Sequence, residues 1–345
     1  MAVLFVSVVM LFVITIAAFY TNKGAVMEQR ISTNQLAYTQ AFEAAQGSLN
    51  YALAWLATAA NTNSTAWTTA PGAAGAVWVS DTSYPPYNQR NSTSIAAQTI
   101  GAFSVSITLW RNSANSKIIE ISSVSSGDAT ATVKQIVNVL YLAFNVPSLA
   151  PLVVNGCISA VTGTPDIDAG SVAATALISS QPAACLNTGH FNITGTVAGS
   201  GFSGNAWDYT FGISKTEMYQ LASSQAGGAT AGPIYFYDDS NPPTDPWHTS
   251  LGDSANPVIL IFNTASCPKI SGGGGVDIYG IVYCYQGLDM QGWGNATIHG
   301  SVITDTDITK FTANTLLTND SNANSTSSYS ANPVVSKITG TWRDF

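Results

Sequence analysis

The chain has 345 residues, a formal net charge of −8 and 9% charged residues, against about 25% in an ordinary globular domain. Hydrophobic residues make up an ordinary 46%, so Ser, Thr, Asn and Gly stand where charge is missing. Eleven basic residues provide no patch for phosphate tracking, which excludes a nucleic-acid partner, and three His with 19 scattered acids leave little material for metal or acid–base chemistry. No cofactor and no enzymatic activity are expected. The length exceeds one minimal core, so two or more packed units are expected, and the uncharged, Gly-rich composition suits a protein that faces the outside of a cell.

Residues 1–20 carry no charge, and the first charged residue is Lys23. Twenty residues at about 1.5 Å rise cross a bilayer core of about 30 Å. Ser7 and Thr15 can bond back to helix carbonyls. A basic leader region and a small-residue cleavage site are lacking, so the segment reads as a membrane anchor or as a chain whose short basic leader has been removed. The helix continues to about Thr58, because residues 25–58 hold no Pro and only Gly47 among glycines. Leu36, Phe42, Ala45, Leu49, Ala52, Leu53 and Leu56 fall near one face, so the segment 24–58 is amphipathic. Phe5, Phe12 and Phe19 recur every seven residues, a spacing suited to helix–helix packing.

A loop is expected over 61–98. Period-two alternation then predicts strands at 103–109, 117–123 and 130–142, with turns at 112–116 and 126–128. These form an antiparallel meander whose apolar face the amphipathic helix would cover. Beyond Pro147 and Pro151, Val276-Asp-Ile-Tyr-Gly280-Ile-Val282 repeats as Ala296-Thr-Ile-His-Gly300-Ser-Val302, with a fainter copy at Ile193-Thr-Gly195-Thr-Val197. Short strands with a fixed 20-residue offset predict stacked, solenoid-like rungs. Ser214-Lys-Thr-Glu217 has capping-box spacing and predicts a short surface helix. Residues 257–262 predict a buried strand.

Chemical motifs are sparse. Gly272–Gly275 lacks the phosphate-loop pattern. Asp238, Asp239, Asn241 and Asp245 could place oxygens around Ca²⁺, but their spacing departs from the EF-hand rule and favours a solvated turn. Asp305 and Asp307 offer less still. His190, His248 and His299 show no HExxH spacing, and no GxSxG occurs. Cys157, Cys185, Cys267 and Cys284 form no CxxC; two disulfides are expected, and of three pairings the sequence-neighbour one, 157–185 with 267–284, is the simplest. Asn63, Asn91, Asn192, Asn295, Asn319 and Asn324 open N-x-S/T triplets, candidates for glycosylation.

The segment MAVLFVSVVMLFVITIAAFY followed by MEQRISTNQLAYTQAFEAAQGSL resembles the N-terminal region of PilX-type pilins, a minor-pilin family of type IV pili. Glu28, Arg30, Asn34, Gln35, Phe42, Ala44 and Ala45 carry the pattern, and FGISKTEMY, DPWHTSLGDSANPVILIFN and the terminal GTWRDF extend it. The resemblance implies that Met1 is the mature end left when a leader is cut away, and that Phe5 occupies the place where major pilins usually carry a glutamate. It implies an α+β fold: a pilin helix over 1–60, an antiparallel sheet over 61–148 and a β-rich, solenoid-like head over 149–345. Met1, Phe5, Phe12 and Phe19 would pack in a filament core. The implied partners are other copies of the chain, other pilins, the pilus assembly machinery, a leader peptidase and the inner membrane before assembly. The subunit would be a minor or tip component, or one that polymerises alone. The competing expectation is a membrane-anchored glycan-binding module that does not polymerise, with Trp207, Trp247 and Trp293 stacking on sugars.

Overall fold

The computed structural model describes residues 2–344, apart from 72, 82–89, 113–114, 160, 271–274, 287, 289, 291–292 and 312–313. The chain forms two compact units. One comprises Met1–Ala54, Ser80–Val137 and Lys337–Phe345, and the other Trp55–Val79 and Asn138–Ser336.

The first unit is a helix and an antiparallel sheet. Helix α1 runs Ala2–Leu56, which at about 1.5 Å per residue is about 82 Å long. Its buried stripe is Ala41, Ala44, Ala45, Ser48, Leu49 and Ala52, at the 3–4 spacing of one helix face. Leu36, expected on that stripe, is 59% exposed, because the covering sheet reaches only as far as Ala41. The stripe is mostly Ala and Ser, and these small residues let the helix lie close on the strands. Ser125 Oγ donates to the Ala41 carbonyl at 2.6 Å, and the Ser48 and Ser123 hydroxyls share a hydrogen bond. Ala41 and Ala44 pack with Phe103, Val105 and Ala131.

The sheet begins with β1 (Val79–Asp81), β2 (Arg90–Ile100), β3 (Phe103–Asn112), β4 (Asn115–Ser126) and β5 (Thr130–Leu140), which follow one another in that order. The three-strand meander is present as β3 to β5. The loop expected over 61–98 is corrected: α2 (Ala59–Thr62) and α3 (Thr65–Thr68) begin it, and β2 pairs along β3 from Arg90↔Asn112 to Ile100↔Phe103. Its sequence, RNSTSIAAQTI, lacks clean alternation, so ladder hydrogen bonds with β3 rather than an apolar period define it.

In the second unit, residues 55–79 pack through aromatic rings. Trp67 lies 4.8 Å from Trp78, 5.9 Å from Trp55 and 6.4 Å from Tyr141, centroid to centroid. The unit is built on ten parallel-paired strands. They are β6 (Leu152–Val154), β7 (Asp166–Asp168), β8 (Thr175–Ser179), β9 (Asn192–Thr194), β10 (Thr196–Ala198), β11 (Ile234–Asp238), β12 (Val258–Asn263), β13 (Val276–Cys284), β14 (Ala296–Thr304) and β15 (Leu316–Thr318). The main order is β10-β8-β6-β14-β13-β12-β11, while β15 joins β14 to β7 and β7 pairs with β9. The chain closes with β16 (Val334–Lys337) and β17 (Arg343–Asp344), the latter antiparallel to β5.

The 20-residue repeat is a ladder register: Ile278↔Ile298, Gly280↔Gly300 and Val282↔Val302. Even-numbered residues of β13 and β14 enter one core with Leu260, Phe262, Ile167 and Leu317. Ile281, Tyr283 and Ile303, on the opposite face, enter a second core. That core is covered by α4 (Ala206–Thr210) and α5 (Lys215–Ser224), which supply Trp207, Met218 and Leu221. Among the described residues no helix covers the same face of the first halves of β13 and β14: Asp277 is exposed, and Tyr279, Thr297 and His299 are half-buried. The capping box is formed, with Ser214 Oγ accepting from the Glu217 amide and the Glu217 carboxylate accepting from the Ser214 amide. The strand expected at 257–262 is β12, buried from Val258 to Phe262.

Candidate functional site

The first turns of α1 are apolar on all sides and uncovered. The most apolar 18-residue window has a mean hydropathy of 2.4, and none of it is buried. Phe5, Phe12 and Phe19 are 70%, 65% and 70% exposed, so the stripe is left bare. Met1 lies outside the described residues. The hydroxyls of this stretch bond to the helix itself: Ser7 Oγ donates to Leu4 O at 2.9 Å and Thr15 Oγ1 to Leu11 O at 2.7 Å. The segment therefore presents an almost wholly apolar surface, at home in a bilayer or among other such helices.

Cys157 bonds to Cys185 and Cys267 to Cys284, with Cα–Cα separations of 5.2 and 5.6 Å. Asp238 is engaged in a local turn, its Oδ1 accepting from the Ser240 amide, the Ser240 hydroxyl and the Asn241 amide. These bonds hold its carboxyl below the usual range, the Ser240 hydroxyl contributing most. Asp245 accepts from the Lys269 amide at 3.0 Å. Among the described residues no group of three or more His, Cys, Asp or Glu is gathered where a metal could sit. The glycine run 272–275 lies outside the described residues up to Gly274. Three of the six glycosylation candidates are corrected: Asn63, Asn91 and Asn324 are buried at 0%, 6% and 9% exposure, and Asn63 Nδ2 is committed to the Ala331 carbonyl at 2.7 Å. Asn192 and Asn295 are exposed, and Asn319 is half-buried.

The sugar-stacking reading of the tryptophans is likewise corrected. Trp207, Trp247 and Trp293 are 2%, 5% and 0% exposed, and each belongs to a core. Residues 207 and 247 turn their indole N–H groups to the Ile213 and Thr249 carbonyls, both at 2.7 Å.

One cluster had no sequence pointer. Asp305 Oδ1 accepts from the amides of Ala206 and Trp207 at 2.6 and 3.2 Å, and its Oδ2 accepts from the Tyr283 hydroxyl and lies 3.5 Å from Lys215 Nζ. The ammonium sits 3.6 Å from the Tyr285 ring centroid and 5.1 Å from that of Tyr283. Burial lowers the Lys215 pKa, and Asp305 opposes that shift. The group ties α4 and α5 to β13 and β14. Lys215 and Asp305 are 90 residues apart, so only the fold brings them together.

The family model for the PilX N-terminal region matches residues 1–50. These residues are similar to the N-terminal region of PilX-type pilins. They coincide with most of α1 and include the uncovered phenylalanines. No curated protein matches the chain. Among solved structures, the crystal structure of the competence-associated pilin ComZ from Thermus thermophilus is similar at 11% identity and a TM-score of 0.33, over 89% of this chain and 97% of that one. The long helix α1 and the antiparallel sheet make an α+β arrangement of the kind the sequence predicted.

Proposed function

We propose that the protein is a structural subunit of a type IV pilus or a related extracellular filament. The observation that carries this reading is the PilX-type helix, apolar all round and uncovered by its own head over the window of mean hydropathy 2.4. The helix holds the subunit in the inner membrane before assembly. It then moves into a filament, where Phe5, Phe12 and Phe19 pack against neighbouring copies or other pilins. The exchange is lipid contact for helix contact, so it is driven by packing rather than by water exclusion. A leader peptidase acts before assembly, and the pilus machinery drives it. The β-rich head is displayed outward, with Phe5 in place of the glutamate that major pilins usually carry.

Quantitative mass spectrometry of filaments sheared from the source cells, with electron microscopy of the same sample, tests this. Dominance of the chain identifies a self-polymerising pilin. A trace amount beside a shorter pilin identifies a minor or tip subunit. Its absence from every filament overturns the proposal.

A further inference from the structure

The uncovered outer face of the parallel sheet is a surface that filament assembly through α1 does not use. On β13, β14, β15, β7 and β9 the middle residue of a three-residue step, from Ile278 through Leu317 to Ile193, packs in or against the core. The residues on either side then point outward, by strand alternation. The register sets Tyr279, His299, Thr318 and Asp168 in one row across four strands. Asp277 and Asp166 stand in the adjacent row, joined through Thr297 and Leu316 by the same register.

The two rings form a platform. Tyr279 and His299 stack with centroids 4.0 Å apart and planes 5° from parallel. The chain on the other side of Tyr279 is in register through Leu251↔Ile278, which brings Gly252 beside the tyrosine. Glycine carries no side chain to cover that ring face, and its backbone is fixed at φ +73° with no room for a Cβ against Tyr279 O. Beyond His299 the next residue in the row is the small Thr318.

We propose that this face binds an extended polysaccharide that bears amino groups. Five strands spaced about 4.8 Å apart present a row of side chains about 19 Å across, wide enough for several sugars in line. Hydroxyl and carboxylate groups offer the hydrogen bonds that sugar hydroxyls exchange with water, and the Tyr279 ring, flanked in its row by Gly252, offers a stacking surface for a sugar ring. Three carboxylates with no Lys or Arg in either row complement protonated amines and repel phosphate or uronate chains. The proposal does not depend on the filament reading, since it concerns the head alone.

The test uses the full chain in detergent micelles and titration calorimetry at about pH 6, where most amines of the probe carry a proton, with a β-1,4-linked glucosamine hexamer as probe and its fully N-acetylated form as comparator. The wild type binds the glucosamine hexamer at least fivefold more tightly. Tyr279→Ala weakens binding at least tenfold while the thermal unfolding midpoint holds, and Asp168→Asn with Asp277→Asn abolishes the preference for the amine form. Tyr219→Ala, at a residue exposed on α5, leaves both affinities unchanged. Should Tyr279→Ala fail to fold, Thr297→Lys places a cation in the outer row, keeps both rings and abolishes binding. The proposal is overturned if neither hexamer binds, if a folded Tyr279→Ala or Thr297→Lys binds like the wild type, or if the two forms bind equally. Sedimentation is run beside it: concentration-dependent association lost in the same variants makes the face a contact between copies and overturns the glycan assignment.

Discussion

Gly280 and Gly300 are direct partners across the ladder of β13 and β14, and neither has room for a Cβ. A Cβ on Gly300 would lie 2.0 Å from the Gly280 carbonyl oxygen, and one on Gly280 would lie 1.8 Å from the Val258 oxygen. Both residues hold φ between +135° and +144°, a region closed to side-chain-bearing residues. Gly300→Ala therefore combines backbone strain with a clash against a neighbouring strand, and destabilises the head by about 3 kcal/mol or more. Urea unfolding followed by tryptophan fluorescence reads the loss. A shift below about 1 kcal/mol would show that the ladder can spread to admit a methyl group.

Asp305 has four donors or cations around it, and removing its carboxylate strands all of them. Asp305→Ala leaves the Ala206 and Trp207 amides, the Tyr283 hydroxyl and Lys215 without their shared acceptor. The cost is about 3–5 kcal/mol for breaking such a buried, paired group. Asp305→Asn keeps one acceptor oxygen and loses less. Equal stability of wild type and the Ala variant in chemical denaturation would refute the role.

Stability should fall steeply in alkali. Burial, and then the Asp305 carboxylate, push the Tyr283 phenol far above its ordinary value, and burial pushes up Tyr329, Tyr209 and Tyr237. In the unfolded chain these phenols ionise near pH 10. A raised folded pKa contributes stability that is complete below that pH and is lost above it, at about 1.4 kcal/mol per pH unit for each of the well-buried Tyr283 and Tyr329 while it stays neutral in the fold, and at less for the more exposed Tyr209 and Tyr237. Lys215 acts in the opposite sense: burial lowers its pKa, so its contribution improves as pH climbs toward its unfolded value near 10.5 and then ends. Denaturation midpoints from pH 8 to 11 are expected to hold and then drop, with Tyr329→Phe flattening the drop. A midpoint unchanged at pH 11 would contradict this.

The two disulfides differ in access. Cys267 and Cys284 are 6% and 0% exposed, whereas Cys157 and Cys185 are half-buried. Mild reduction of the folded protein is expected to open Cys157–Cys185 first, read by differential alkylation and peptide mass spectrometry. Full reduction removes loop constraints of 28 and 17 residues, about 3 kcal/mol each. Simultaneous opening would mean that local unfolding, not accessibility, controls the reaction.

Phe12→Asp puts a charge in the middle of the PilX-type helix. Because Phe12 is 65% exposed, the head's unfolding midpoint should not move. The variant is expected to be missing from sheared filaments, since an unpaired carboxylate in a helix bundle is costly. Its recovery in filaments at wild-type levels would defeat the packing role of the stripe.

What local pattern could encode was legible in the chain. The uncharged run and proline-free extension specify α1, alternation specifies β3 to β5, the Ser214–Glu217 spacing specifies the start of α5, and the repeat places Gly280 and Gly300 at equivalent positions of two strands. These are all effects of neighbours within a few residues or of a fixed period. Tertiary structure decided the rest. β2 exists because β3 offers it a ladder, not because of an apolar period. Burial removes Asn63, Asn91 and Asn324 from glycosylation, and packing makes Trp207, Trp247 and Trp293 core residues, which no triplet or composition can report. Lys215 meets Asp305 only because α5 packs on β13 and β14, and Gly252 comes beside Tyr279 only because parallel register joins Leu251 to Ile278. Contact free energy depends on which groups leave water together, and that is fixed when the strands pair.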